Sequence, residues 1–176
     1  MNAVIKEKMT AEGSSEKKKG TVILGICGGY QMLGKYYEAA DGTRVDFLGG
    51  IDVYTTASDK RMIGNFAYEY TKENGETFPI VGFENHNGQT WLGDGVKPMG
   101  KIIKGYGNNG EDGTEGARYK NVFATYSHGP LLPKNARIAD ELLEIAYERK
   151  YGEQLPPLEH EMEDAALNDI RQQLGC

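Results

Sequence analysis

Two cysteines, one tryptophan and three histidines in 176 residues leave little from which to build a cross-linked or metal-stapled fold. Cys27 and Cys176 cannot form a disulfide framework, which points to a reducing compartment, and Cys176, the final residue, reads as an idle thiol. Scattered histidines with one interior cysteine give no compact zinc ligand set, so no metal site is expected. No apolar run approaches the roughly 20 residues that a membrane helix needs, and the first residues contain no signal-peptide apolar region. A cytoplasmic chain is therefore expected, reaching the inner membrane face only through a complex. Positive charge is also short: 20 Lys and Arg against 26 Asp and Glu give a net charge of -6. That balance disfavours nucleic acid as a partner, and Lys17-Lys18-Lys19 reads as a solvated loop. A G-x-x-x-x-G-K-[ST] phosphate loop is missing, so the chain is not expected to bind ATP itself.

What is present suits a single α/β domain with a modest core. Residues 1–19 read as a variable polar segment, 20–152 as the domain and 153–176 as a charged helical tail. Thr21–Ile26 has the apolar texture of a buried strand, and a helix is predicted from Gly29 to Tyr37 with Met32, Leu33 and Tyr36 against the sheet. Short strand-like pieces follow, at Phe66–Tyr70, Phe78–Phe83 and Val96–Ile103. Glu73-Asn74-Gly75 and Gly93-Asp94-Gly95 between them are turn signals. Gly105–Gly116, with five glycines and two asparagines, reads as an irregular surface loop. Tyr119–Tyr126 reads as a further strand. A helix over Ala136–Lys150 would bury Ile138, Leu142, Ile145 and Ala146 and end before Pro156-Pro157, and a last helix is expected over Glu159–Leu174.

Gly25-Ile26-Cys27-Gly28-Gly29 has the spacing of a nucleophile elbow, in which a sharp strand-to-helix turn lifts the nucleophile clear of the main chain. A cysteine in an apolar strand is otherwise ordinary core, but two flanking glycines and the strand-to-helix switch favour the catalytic reading. The Gly28 N–H would face a developing oxyanion, and the helix start is expected to depress the thiol pKa. His128, after the strand ending at Tyr126, could take the Cys27 proton and return it to a leaving amine, because working residues collect at the carboxyl ends of parallel strands. His86 is a competing base, or a residue that hydrogen-bonds a substrate carbonyl or orders its loop. His160 lies in the charged tail and carries little weight.

Gly25–Gly34, together with Phe83–Thr90, Gly105–Asn109 and Thr125–Pro130, resembles the class I glutamine amidotransferases. The similarity is to the branch shared by cobyric acid synthase and GatD, the glutaminase subunit of lipid II isoglutaminyl synthase. The resemblance implies a flavodoxin-like domain, a mostly parallel sheet with added antiparallel strands. It implies a Cys27 nucleophile, His128 as base and acid, Gly28 at the oxyanion, and Arg61 anchoring the glutamine α-carboxylate by two parallel hydrogen bonds. Gln31, Asn85 and His86 are candidate loop or pocket residues. It further implies a heterodimer with a MurT-like subunit of the Mur-ligase family. That partner would bind lipid II, ATP and Mg and amidate D-glutamate with ammonia from L-glutamine; no cofactor is expected here. Corrinoid amidation is the alternative within the branch, and a shortened, non-catalytic partner-binding subunit the alternative outside it. A cysteine peptidase is disfavoured, because a pocket that anchors free glutamine excludes extended chains. Two departures stand out. Pro130 occupies the place where many relatives carry a glutamate after the histidine. Relatives also carry further parallel strands and an oxyanion loop before the nucleophile strand, so a domain incomplete at its N-terminus is expected. Loss of one oxyanion donor costs about 3 kcal/mol.

Overall fold

The structure, a computed structural model, describes residues 4, 5, 7, 20–129 and 131–175. The expectations for Lys17–Lys19, Pro130 and Cys176 lie outside the described residues.

A parallel strand pair organises the first sheet. Strand β1 (Ile23–Ile26) runs beside β9 (Val122–Thr125) in the register Ile23 with Val122 through Ile26 with Thr125. On the other side of β9, β8 (Ala117–Tyr119) pairs antiparallel, giving the three-stranded order β1-β9-β8. Helix α1 (Gly28–Leu33) follows β1 directly and turns Tyr30 and Leu33 inward. Leu33 also explains Gly25: a Cβ there would stand 2.7 Å from Leu33 Cδ1 and 3.3 Å from the Gly29 backbone.

The second sheet is organised by a long hairpin. Strands β4 (Val53–Thr71) and β5 (Thr77–Leu92) pair antiparallel along most of their length, and Lys72–Glu76 closes them. The turn needs Gly75, whose φ of 87° lies in the left-handed region, and Asn74 Oδ1 accepts the Glu76 N–H at 2.9 Å. Phe66, Tyr68 and Tyr70 alternate along β4 and meet Phe78 and Ile80 of β5, while Ala67 and Val81 face the opposite side. Both faces are covered around Phe66–Tyr68, so this end of the hairpin is core rather than a surface ribbon. Against β4 also lie β2 (Tyr36–Glu38), in parallel, and β6 (Gly100–Lys104), antiparallel; β3 (Arg44–Asp46) and β7 (Thr114–Glu115) extend the sheet.

Three helices complete the chain: α2 (Leu131–Lys134), α3 (Ala136–Tyr151) and α4 (Glu161–Leu174). Gly152, left-handed at φ 74°, caps α3 ahead of Pro156-Pro157. Asn135 precedes α3 but spends its side chain elsewhere. Its Oδ1 accepts the Val81 N–H at 2.8 Å, and its Nδ2 donates to the carbonyls of Val81 (2.9 Å) and Leu131 (2.7 Å). Helix α4 covers Ala67 and Val81 with Leu174, Leu167 and Ile170. No helix among the described residues is long and apolar enough to cross a membrane.

The α/β class with mixed sheets is as expected, but several details differ. Parallel pairing is confined to β1 with β9 and β2 with β4, so antiparallel pairs are in the majority among the described residues. The first helix stops at Leu33: Gly34 leaves helical geometry, Met32 is exposed, and Tyr36 enters a strand. A Cβ at Gly34 would press on Val53, so close backbone approach ends the helix. On α3, Glu141 is buried where Ala146 was expected to be. Gly105–Gly116 is not a surface loop throughout, because Asn108, Asn109 and Glu115 are buried. Their side chains replace the apolar contacts that a pattern reading looks for. Asn108 alone bonds Tyr30 Oη, the Gly116 carbonyl and the Gly116 N–H.

Candidate active site

Cys27 stands at φ 51°, ψ -109°, a conformation that an L-residue with a side chain rarely adopts. Such strain costs on the order of 1–3 kcal/mol and persists only where the surroundings over-determine it. Here the Cys27 N–H donates to the Thr125 carbonyl at 2.9 Å, and the Cys27 carbonyl accepts the Gln31 N–H at 3.0 Å. The residue is thus pinned to β9 on one side and to the first turn of α1 on the other. Gly28 and Gly29 have open space where a Cβ would be, which keeps the mouth of the turn clear.

Burial pushes the Cys27 thiol above its ordinary value, and the Gly28 N–H opposes this. The expected depression by the helix start therefore does not hold. Six residues of helix offer a small dipole, and desolvation outweighs it. At rest Cys27 is therefore a neutral thiol.

β9 supplies the candidate base. In the β1–β9 register Cys27 falls one position beyond the Ile26–Thr125 pair, and His128 lies three positions beyond Thr125 at the same end of the parallel pair. The His128 N–H donates to the Phe83 carbonyl at 2.8 Å, which ties this strand end to β5. Its Nε2 is buried without a hydrogen-bond partner among the described residues. Burial lowers the His128 pKa, with the neighbouring His86 adding to the effect, so the imidazole is held in its neutral, proton-accepting form.

His86, the competing base, is fully enclosed. Its Nδ1 lies 2.8 Å from the Gly88 carbonyl; a carbonyl only accepts, so the proton is on Nδ1. The ring stacks on Tyr126 at 3.6 Å between centroids and 6° between planes. Its Nε2 is 3.9 Å from Glu84 Oε2, while the two Glu84 oxygens accept the N–H groups of Tyr106 and Gly107. Such packing suits a residue that orders the site from behind.

Arg61 owes its place to a bulge. Ala57 pairs with Gly88 and Met62 with His86, so residues 58–61 of β4 face Asn87 alone. This excess chain lifts Arg61 to the surface, where Nε (2.8 Å) and Nη2 (2.6 Å) both donate to Asn85 Oδ1. Gln31, on α1, donates through Nε2 to Tyr126 Oη at 3.1 Å. Cys27, Gln31 and His128 are thus gathered around the end of the β1–β9 pair, with His86 behind Tyr126, and Arg61 with Asn85 form a separate polar pair on the hairpin. Sequence reasoning missed Tyr126, Thr90, Thr55 and Glu115. Their signal was weak: Tyr126 lies two residues before His128, but nothing in the pattern links it to Gln31.

A strained cysteine thus occupies the turn between a parallel strand and a helix, and a histidine follows the partner strand at the same end. The CobB/CobQ-like glutamine amidotransferase domain matches residues 3–136, and the chain belongs to that family. Over 141 residues it is 45% identical to the lipid II isoglutaminyl synthase (glutamine-hydrolyzing) subunit GatD of Streptococcus pneumoniae, covering 78% of this chain and 53% of that one. The GatD subunit of Staphylococcus aureus is 51% identical over 128 residues, covering 72% and 50%. A probable cobyric acid synthase of Methanothermobacter thermautotrophicus is 37% identical over 153 residues, covering 78% and 28%. The chain spans about half the length of the GatD subunits it matches.

Proposed function

We propose that this chain hydrolyses L-glutamine through a Cys27 thioester and supplies ammonia for amidation of lipid II. His128 takes the Cys27 proton as Sγ attacks the glutamine carboxamide carbon. The oxyanion that forms receives the Gly28 N–H. His128 then passes the proton to the departing nitrogen, and ammonia leaves behind a thioester. A water molecule, deprotonated by His128, attacks that thioester and releases glutamate with the thiol restored. Arg61 binds the glutamine α-carboxylate by exchanging its contact with Asn85 for a two-pronged carboxylate pair. Ammonia passes to a MurT-like subunit that carries ATP, Mg and lipid II and amidates D-glutamate. This chain needs no cofactor of its own.

The observation that carries the proposal is the strained Cys27 backbone pinned to β9 just short of His128. Identity to two GatD subunits favours lipid II over corrinoid substrates. The test is ammonia release from glutamine by the chain, alone and with a MurT-like subunit, for the wild type, Cys27→Ala and His128→Ala. Loss of release in both variants is expected. Unchanged release in Cys27→Ala defeats the mechanism, and stable association with the MurT-like subunit without turnover replaces it with a partner-binding role.

A further inference from the structure

We infer that Tyr126 is a positioning residue that holds the helix behind Cys27 and the strand end carrying His128 in one register; this rests on the glutaminase reading above. Tyr126 is fully buried, yet its hydroxyl has two side-chain partners. Gln31 Nε2 donates to it at 3.1 Å, and it shares a hydrogen bond with Thr90 Oγ1 at 2.6 Å; Thr90 in turn meets Thr55 Oγ1 at 2.8 Å. The main chain is gripped as well. Glu115 Oε1 accepts the Tyr126 N–H at 2.8 Å and the Thr125 hydroxyl at 2.6 Å. On one face the ring rests on His86, and Tyr30 lies against it with centroids 5.2 Å apart.

These contacts converge on the two working groups. Gln31 is one helical turn after Cys27 and is hydrogen-bonded to the Cys27 carbonyl through its main chain. His128 is two residues after Tyr126. A phenylalanine would fill the same space without desolvating a hydroxyl, so packing alone does not call for the oxygen. What the oxygen adds is a link from β4 and β5, through Thr55 and Thr90, to the helix that follows the nucleophile. Gly88 keeps that link open: a Cβ there would stand 2.6 Å from Gln31 Nε2 and 2.7 Å from Thr55 Cγ2.

The test uses Tyr126→Phe, which keeps both ring contacts. Alkylation of Cys27 by iodoacetamide is followed by mass spectrometry, with Cys176 of the same chain as an internal reference. Removing one net hydrogen bond from the positioned state is expected to slow Cys27 alkylation roughly tenfold. Gln31→Leu should give the same loss, and the double variant no further loss. Glutamine turnover should fall in kcat with KM unchanged. Gly88→Ala, whose Cβ would crowd both Gln31 and Thr55 around the tyrosine hydroxyl, should reproduce the effect. A lowered Tm with unchanged alkylation and kcat in Tyr126→Phe overturns the inference, as does a purely additive double variant. If the wild type releases no ammonia the glutaminase reading fails, while the alkylation ratios still decide the role of Tyr126.

Discussion

At the residue scale, Cys27 and His128 are set up as a neutral pair. Burial raises the thiol and lowers the imidazole, so on the proposed mechanism neither carries charge before substrate arrives. A histidine whose folded pKa is depressed stays a base to lower pH than usual. The acid limb of kcat/KM for glutamine should therefore fall below pH 6.5, the ordinary histidine value. A limb at or above that value would mean that another group is titrating. Arg61 offers a second test. Lysine keeps the charge but loses the two-pronged fork, so Arg61→Lys should raise KM for glutamine about tenfold with little change in kcat. An equal fall in kcat would instead place Arg61 at the reacting centre.

At the element scale, the β4–β5 hairpin is held in place from outside by Asn135. Its amide satisfies both the N–H and the carbonyl of Val81, and it is itself buried. Asn135→Ala would leave those groups less well paired and should cost about 2–4 kcal/mol, read as a lowered urea midpoint. A change below half a kcal/mol would show that water replaces the side chain. Gly82 on the same strand admits no substitution of the kind a surface hairpin would tolerate, because a Cβ would collide with Ser127 Oγ and crowd Phe66 Cε1 at 2.9 Å. The hairpin and the strand end that carries His128 are therefore packed as one unit, joined by the Phe83–His128 bridge.

At the scale of the whole molecule, stability should depend on pH through Glu115. Burial pushes its carboxyl up to about 7 from an ordinary 4.5. Between those two values the folded chain holds a proton that the unfolded chain has lost, so folding weakens as pH rises through that window. The shift corresponds to about 3 kcal/mol. Glu115→Gln keeps an acceptor for Thr125 and Tyr126 but cannot titrate, and its urea midpoint should change less between pH 4.5 and 7 than that of the wild type. Parallel pH dependences in the two proteins would assign the effect to another group.

Local chemistry was written plainly in the sequence. The glycines around Cys27, the turn at Asn74-Gly75 and the extent of α3 all follow from short-range steric rules that act within a few residues. The positions of Cys27 and His128 at strand ends were legible for the same reason, since each follows a recognisable apolar strand. Pairing partners were not legible. A 19-residue strand read as short pieces, because a polar, mostly exposed bulge over residues 58–61 interrupts the apolar alternation. Nor could the glycine-rich stretch announce that Asn108 and Glu115 turn inward, since Asn108 meets Tyr30 78 positions away and Glu115 meets Thr125 only once β8 and β9 have paired. Sequence determined the chemical groups and the backbone turns that expose them. Only the tertiary structure decided the protonation states and the buried hydrogen-bonded support, because desolvation and long-range pairing exist only once the strands have met.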